Sequence, residues 1–426
     1  MTQILDFIGI GFGPANIALA IQLQENNLED KLKYLFIDNN KDSLWQREML
    51  ISGTDIQNVP VRDLITPINP RSYYSFINYL HKNDRYFKYY GTGLAYPLRQ
   101  DYAMYINWCA SHFKHIVHYQ ETVINIDIAE CGSHYIVQTN LATYCTKIVI
   151  MATGRSLFVP EVFNNIPENK LITINNFISK ISELHRELEY KFAVVGASQS
   201  AAEIFLKLAD TFYNSNVHSY IRKFSFVVRD SSPFSYEVFL PEFIDEYYKA
   251  DDKTKISLNN HLRRTNYSSA DIEVLDKINI KMYEESLSNN YRIEIKRNSE
   301  ILETSYNGKN ITIKSRNTVN NSIHVLDYDF VIVCTGFRDL GKNEDKEYLP
   351  PLLEKFASKL VLNYDKESMT RYISEDYELY FDGINKPVYL NGLCETSHGM
   401  GDAGSFGLIS IRVNKIMNSL INHLKQ

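Results

Sequence analysis

The chain has 426 residues, 44% of them hydrophobic, and a formal net charge of −6 carried by interspersed acids and bases. That length favours two or three domains, and the apolar fraction excludes a disordered chain. The mixed charge excludes the basic footprint of a nucleic-acid binder or of a protein drawn to an anionic membrane. Cys109, Cys131, Cys145, Cys334 and Cys394 are scattered, odd in number and without a CxxC pair. No zinc site, disulfide framework or other metal centre is therefore expected. No apolar run reaches the ~20 residues that span a bilayer, and no secretory pattern opens the chain, so a cytoplasmic location is expected.

In chain order, Leu5–Ile10 reads as a short buried strand and Ala15–Leu23 as a helix. Between them lie Gly9, Gly11, Gly13 and Pro14. In a dinucleotide fold the first glycine permits the tight turn, and the second lets backbone approach a pyrophosphate at the helix N-terminus. Pro14 takes the third fingerprint position, which a first helical turn tolerates because the missing N–H has no partner there. Lys33–Ile37 reads as a second strand ending at Asp38, an acid a little beyond the usual ~20-residue spacing for a ribose hydroxyl. Residues 57–80 begin as a loop stiffened by Pro60, Pro67 and Pro70, and turn helical from Ser72. Gln57, Arg62 and Asp63 are the polar groups of that loop able to line a pocket.

Residues 192–205, FAVVGASQSAAEIF, repeat the strand, turn and helix, with Ser198 in place of the second glycine. The next strand is expected over Phe224–Val228 and ends at Arg229, where a cation suits the 2′-phosphate of NADPH. Arg222 and Lys223 compete for that role. KIVIMATG (Lys147–Gly154) and DFVIVCTGF (Asp329–Phe337) are both apolar strands ending in Thr-Gly. Two dinucleotide turns in one chain suggest an FAD domain with an inserted NADPH domain, so each of these strands is expected to return the chain to the flavin domain, with Thr335 and Gly336 passing close to the cofactor. Asn385–Leu390 reads as a late strand and Gly407–Leu424 as a closing helix.

Eight motifs follow one another along nearly the whole chain. They are GIGFGPANIALA, WQREML (Trp45–Leu50), DLITPINPRSYYSFINYL, GASQSAAEIF, the segment Asp230–Glu242 ending in PFSYEVFLPE, TNYS (Thr265–Ser268), VIVCTGF and SHGMGD (Ser397–Asp402). Together they resemble the L-ornithine/L-lysine N-hydroxylases, class B flavin monooxygenases of siderophore biosynthesis. The resemblance implies an α/β fold of two Rossmann-like dinucleotide-binding domains, for FAD and NADPH, with a small helical substrate-contacting portion. Residues 1–160 would form the first part of the FAD domain. Residues 161–329 would form an inserted NADPH domain with substrate-contacting helical loops at 232–270. Residues 330–426 would complete the FAD domain and add a C-terminal substrate-contacting segment.

The resemblance also implies site residues. Gly9, Gly11, Gly13 and Pro14 map to the flavin pyrophosphate, Asp38 to the adenosine ribose, and Trp45 and Gln57 to the flanks of the isoalloxazine. Gly196, Ser198, Gln199 and Ser200 map to the NADPH turn. Asn266 maps between the nicotinamide ribose and the terminal amine, and with Gln57 it is the catalytic expectation. The implied reaction uses NADPH and O2 to hydroxylate an uncharged primary amine by way of a flavin C4a-hydroperoxide. The protein then needs no nucleophile of its own, because the cofactor carries the hard chemistry. His398 is expected to be structural rather than a general base, and a homo-oligomer, dimer or tetramer, is implied.

Three departures cluster at the substrate's head group. Arg62 stands where the family commonly has a carboxylate-binding lysine, and an arginine keeps the charge with a different fork. Tyr236 replaces an asparagine. After Asp402 the sequence is one residue longer, matching the family's substrate-contacting serine to Ser405. L-Ornithine or L-lysine is therefore the leading substrate, and a decarboxylated amine (histamine, putrescine or cadaverine) the alternative. An NADPH-dependent disulfide or quinone reductase would need the cysteine pair this sequence lacks, and a flavin-binding sensor has no use for a second nucleotide turn.

Overall fold

In the computed structural model, which describes residues 3–341, 346–361 and 372–425, the run Ile4–Ile10 is an inner strand of an eight-stranded sheet. Phe7, Ile8 and Ile10 are buried, as a parallel strand covered on both faces requires. Parallel partners flank it: Gly9 sits opposite Phe36 of Tyr34–Asp38 on one side and Ile150 of Thr143–Met151 on the other. Val117–Tyr119 extends one end of the sheet, and Val388–Leu390 with Glu378–Leu379 the other. The Val123–Ile128 and Tyr135–Thr139 hairpin joins Thr143–Met151 antiparallel. Helix Pro14–Glu25 packs against the final helix, Phe406–Lys425, where Gln22 Nε2 donates to the Ser410 carbonyl at 2.7 Å. The two ends of the chain thus build one layer.

The second sheet is entirely parallel, in the order Ile293–Lys296, Asn216–Tyr220, Lys191–Val195, Phe330–Val333 and Leu171–Thr173. Helix Gln199–Thr211 buries Ala201, Ala202, Ile204, Phe205 and Leu208, the small pair allowing close approach to the strands. A three-stranded antiparallel sheet follows from Ser299–Tyr306, Ile311–Asn317 and Ile323–Tyr328. Helices Pro241–Lys249 and Asp252–Leu262 lie in the stretch expected to be helical, and Ile272–Leu287 continues it.

Two expectations are corrected. Phe224–Val228 is not a strand; Asn216–Tyr220 takes that place. Its polar residues disguise it, because His218 Nδ1 is satisfied inside the fold by the Tyr328 hydroxyl at 2.8 Å. Phe330–Val333 does not return the chain to the first layer, since it pairs with Lys191–Val195 in the second sheet. The first part of the segment assigned to 330–426 therefore belongs with the second sheet, and the return comes after that strand.

Candidate active site

At the first turn Gly11 has φ +86°, and a Cβ there would stand 2.4 Å from the Ala152 carbonyl oxygen. Only glycine fits that pass beneath the Thr143–Met151 strand. A Cβ on Gly13 would meet nothing within 4 Å, so the N-terminus of helix Pro14–Glu25 faces open space. No acid lies in that helix's first turn. Free N–H groups and the positive helix end thus suit a pyrophosphate. Asp38 braces the turn from its strand end: Oδ2 accepts from Phe12 N at 2.6 Å and Oδ1 from Asn40 N at 2.7 Å. Trp45 sits edge-on to Phe406 at 4.9 Å, where the final helix begins.

The second turn follows the same physics. Gly196 has φ +140°, and a Cβ there would stand 2.4 Å from the Cys334 carbonyl oxygen. Ser198 is extended at the cap of helix Gln199–Thr211 with its hydroxyl uncommitted to capping, and Ser200 lies in the first turn. The second Thr-Gly meets the chain just beyond the first: Thr335 donates its hydroxyl to the Phe158 carbonyl, and Phe158 N donates to Gly336 O at 2.9 Å. Both cradles fit a dinucleotide by shape and by donor set.

Asp271 gathers what lies between them. Its Oδ2 accepts from Gln57 Nε2, its Oδ1 is 2.9 Å from Arg229 Nε, and its backbone N–H donates to Gln199 Oε1 at 2.8 Å. Gln57 itself is held left-handed at φ +54°, with its N–H donating to Asp55 Oδ1 at 2.8 Å. The Gln199 side chain is thus held at both ends, its Nε2 donating to Glu203 Oε1 at 2.9 Å. Glu203 closes a buried fork with Arg99, at 2.7 and 2.8 Å. Arg99 also donates to the Met49 and Asp55 carbonyls, at 3.0 and 3.2 Å. This fork pins the loop that carries Gln57 to the helix of the second turn.

Arg229 already has a charged partner in this geometry. It is largely buried, neutralised by Asp271, and its Cζ is 5.9 Å from the Tyr236 ring. Arg222 and Lys223, the competing candidates, stand exposed just beyond Asn216–Tyr220.

Arg62 and Tyr236 do come together, with Arg62 Cζ 5.5 Å from the ring centroid. Burial pushes the Tyr236 phenol up to about 12, so it stays neutral near physiological pH. The Arg62 stem runs over Gly407, where a Cβ would stand 3.1 Å from Cδ. Ser405, the sequence assignment, is buried instead with its N–H donating to Gly401 O at 3.0 Å. Gly407 thus lies beside Arg62. Asn266 Nδ2 donates to the Met400 carbonyl at 3.3 Å, beside Gly404 and close to the start of the final helix. His398 stacks on Tyr377 at 4.0 Å and is bonded by Ser397 Oγ at 2.8 Å. Burial lowers its pKa to about 4, as befits a neutral structural ring.

The family model for L-lysine 6-monooxygenase/L-ornithine 5-monooxygenase matches residues 3–339. The chain belongs to that family. It is a monooxygenase of that family. It is 29% identical over 433 residues to the L-ornithine N(5)-monooxygenase of Pseudomonas aeruginosa, covering 99% of this chain and 94% of that one. The solved ornithine hydroxylase of Pseudomonas aeruginosa, in its reduced form, superposes with a TM-score of 0.88 at 28% identity, covering 99% of this chain and all of the other. The Kutzneria sp. 744 ornithine N-hydroxylase, solved with reduced FAD, NADP+ and L-ornithine, shares the fold with a TM-score of 0.88 at 24% identity, covering 99% of this chain and 100% of that one. Among the described residues no group of three His, Cys, Asp or Glu side chains could hold a metal, and no helix is long and apolar enough to cross a membrane.

Sequence reasoning missed Asp271, Arg99 and Glu203, and also Arg155, whose guanidinium lies 3.2 Å from Glu395 Oε2 in the same wall as Asn266. One signal was present: Glu203 interrupts the apolar run AAEIF, and a lone acid on the buried face of a helix asks for a partner.

Proposed function

We propose that the chain hydroxylates the terminal amine of L-ornithine or L-lysine, as an early step in making a hydroxamate siderophore. The observation that carries this reading is Arg62. Among the described residues no carboxylate pairs with it, whereas neighbouring Arg229 is already matched to Asp271. A guanidinium stacked on Tyr236 and free of an internal counter-ion is ready for the α-carboxylate of an amino acid. A diamine or histamine brings no anion to it.

In this reading Gly9, Gly11, Gly13 and Pro14, with Asp38, hold FAD, and Trp45 packs beside it. Gly196, Ser198 and Ser200 hold NADPH, with Gln199 bridging to Asp271, Arg222 or Lys223 at the 2′-phosphate, and Thr335 and Gly336 at the edge of the cleft. FAD, once reduced by NADPH, supplies the activated oxygen. The chain's own residues supply placement. Arg62 anchors the carboxylate and Tyr236 flanks the head group. Asn266 orients the amine, and Gln57, fixed by Asp271, offers an amide to the reacting side. Exclusion of water by the packed walls protects the oxidising species and strengthens these hydrogen bonds. The reading places the protein in the cytoplasm, where NADPH is available and free cysteines stay reduced. Assembly as a dimer or tetramer is proposed from the family resemblance alone.

Comparing L-ornithine with putrescine, and L-lysine with cadaverine, tests the carboxylate directly. Arg62→Ala is expected to raise KM for the amino acid about 10- to 100-fold, the scale of a lost charge-assisted hydrogen bond, and to leave the diamines nearly unaffected. Equal use of diamine and amino acid by the wild type would reject this substrate assignment.

A further inference from the structure

In the wall beside Asn266 one guanidinium meets two carboxylates. Arg155 NH1 lies 2.9 Å from Asp339 Oδ1, 3.2 Å from Glu395 Oε2 and 3.0 Å from the Tyr267 hydroxyl. Tyr267 donates to that same Oε2. The Glu395 side chain is 5% exposed, and its other oxygen, Oε1, is buried with no hydrogen-bond partner. Oε1 is aimed at Gly404: a Cβ there would stand 3.5 Å from it, 3.0 Å from Asn266 Nδ2 and 3.9 Å from the Tyr267 hydroxyl. Polar atoms from two separate segments, Asn266–Tyr267 and Glu395, thus surround one spot beside Gly404 that a side chain there would fill.

If Glu395 served only to neutralise Arg155, Asp339 would make it redundant, and Oε1 would stand idle at a cost. We propose that Glu395 Oε1 accepts the proton lost by the substrate's terminal ammonium, across the space in front of Gly404 and beside Asn266. An N–H bond breaks and its electron pair stays on nitrogen as the lone pair that takes up oxygen. An O–H bond forms on Oε1, so one cation and one anion become two neutral groups.

The surroundings favour that exchange. Burial raises the Glu395 pKa to about 8, with Asp339 and Asp402 pushing the same way and Arg155 and Tyr267 opposing. Asp402 is itself paired with Arg412, at 3.3 Å. The ionised carboxylate is therefore a stronger proton acceptor than an ordinary glutamate, and the fraction of it able to accept grows as pH rises toward about 8. This inference rests on the reading that places the amine at Asn266.

The test is Glu395→Gln in the FAD-loaded enzyme, with NADPH, O2 and L-ornithine or L-lysine, following hydroxylated product and product per NADPH oxidised against pH. Near neutral pH the product rate is expected to fall at least about tenfold. The gap should close as pH approaches about 10, where the amine arrives already neutral. No fall, or an equal fall at every pH, would overturn the proposal, the second outcome marking a purely structural role. Gly404→Ala keeps the carboxyl and fills the space in front of it. It is expected to divert NADPH oxidation from product to hydrogen peroxide, and unchanged coupling in this variant would overturn the route even if Glu395→Gln fails to fold. A wild-type enzyme that hydroxylates none of the amines would instead bring down the functional reading along with it.

Discussion

Two buried arginines stitch the molecule together, and they are balanced differently. Arg99 faces one carboxylate, Glu203, through both arms of its fork, and spends its remaining donors on backbone carbonyls. Arg155 faces two carboxylates and a phenol, and leaves one carboxylate oxygen without a partner. A matched pair in a dry interior is a fixed strut, because any change of charge is costly there. A mismatched cluster invites a proton, because two anions beside one cation are not both stable without water. The first holds the loop of Gln57 in register with the second nucleotide turn. The second sits where an amine must lose its proton.

The largest expected effect separates the two clusters by pH. The Glu395 carboxyl is raised from 4.5 to about 8, so the folded chain keeps a proton that the unfolded chain releases above its ordinary value. Its contribution to stability is complete below about 4.5 and declines as pH rises through the window up to about 8. Unfolding free energies of wild type and Glu395→Gln, measured in urea across that range, should diverge steadily, the wild type losing ground. Parallel curves would mean that Glu395 is an ordinary ionised partner of Arg155.

Next in size is the strut. Glu203→Ala leaves Arg99 charged, buried and alone, and should cost about 3–5 kcal/mol of stability. Denaturation midpoints at fixed pH check this, and a loss below about 1 kcal/mol would show that water relieves Arg99 as it does a surface pair. The smallest effect sharpens the second cluster: Asp339→Asn removes one anion and should move the pH limb of product formation down, by about one pH unit or less. A limb that stays in place would separate Asp339 from the titrating group.

Local chemistry made much of this legible. Gly11 and Gly196 announce their turns, since each must pass a carbonyl that a side chain would strike, and the strand and helix on either side are apolar in the right periods. Gln57, Arg62, Tyr236 and Asn266 stand in motifs whose order along the chain is itself informative. What stayed hidden depends on contact between distant segments. Arg155, Tyr267, Asp339 and Glu395 come from four stretches with no shared pattern, and nothing in any one of them discloses the cluster. Asn216–Tyr220 was hidden by its own polar residues, one of which finds Tyr328 only after folding. That Gly407 lies against the Arg62 stem was hidden as well, because the contact joins two segments far apart in the chain.

The most direct test of amine hydroxylation is a stoichiometry. The purified FAD-loaded protein, given NADPH and O2, should form close to one hydroxylamine per NADPH with L-ornithine or L-lysine, and chiefly hydrogen peroxide when no amine is supplied. NADPH oxidation that ends in hydrogen peroxide with every amino acid and diamine supplied would contradict the account.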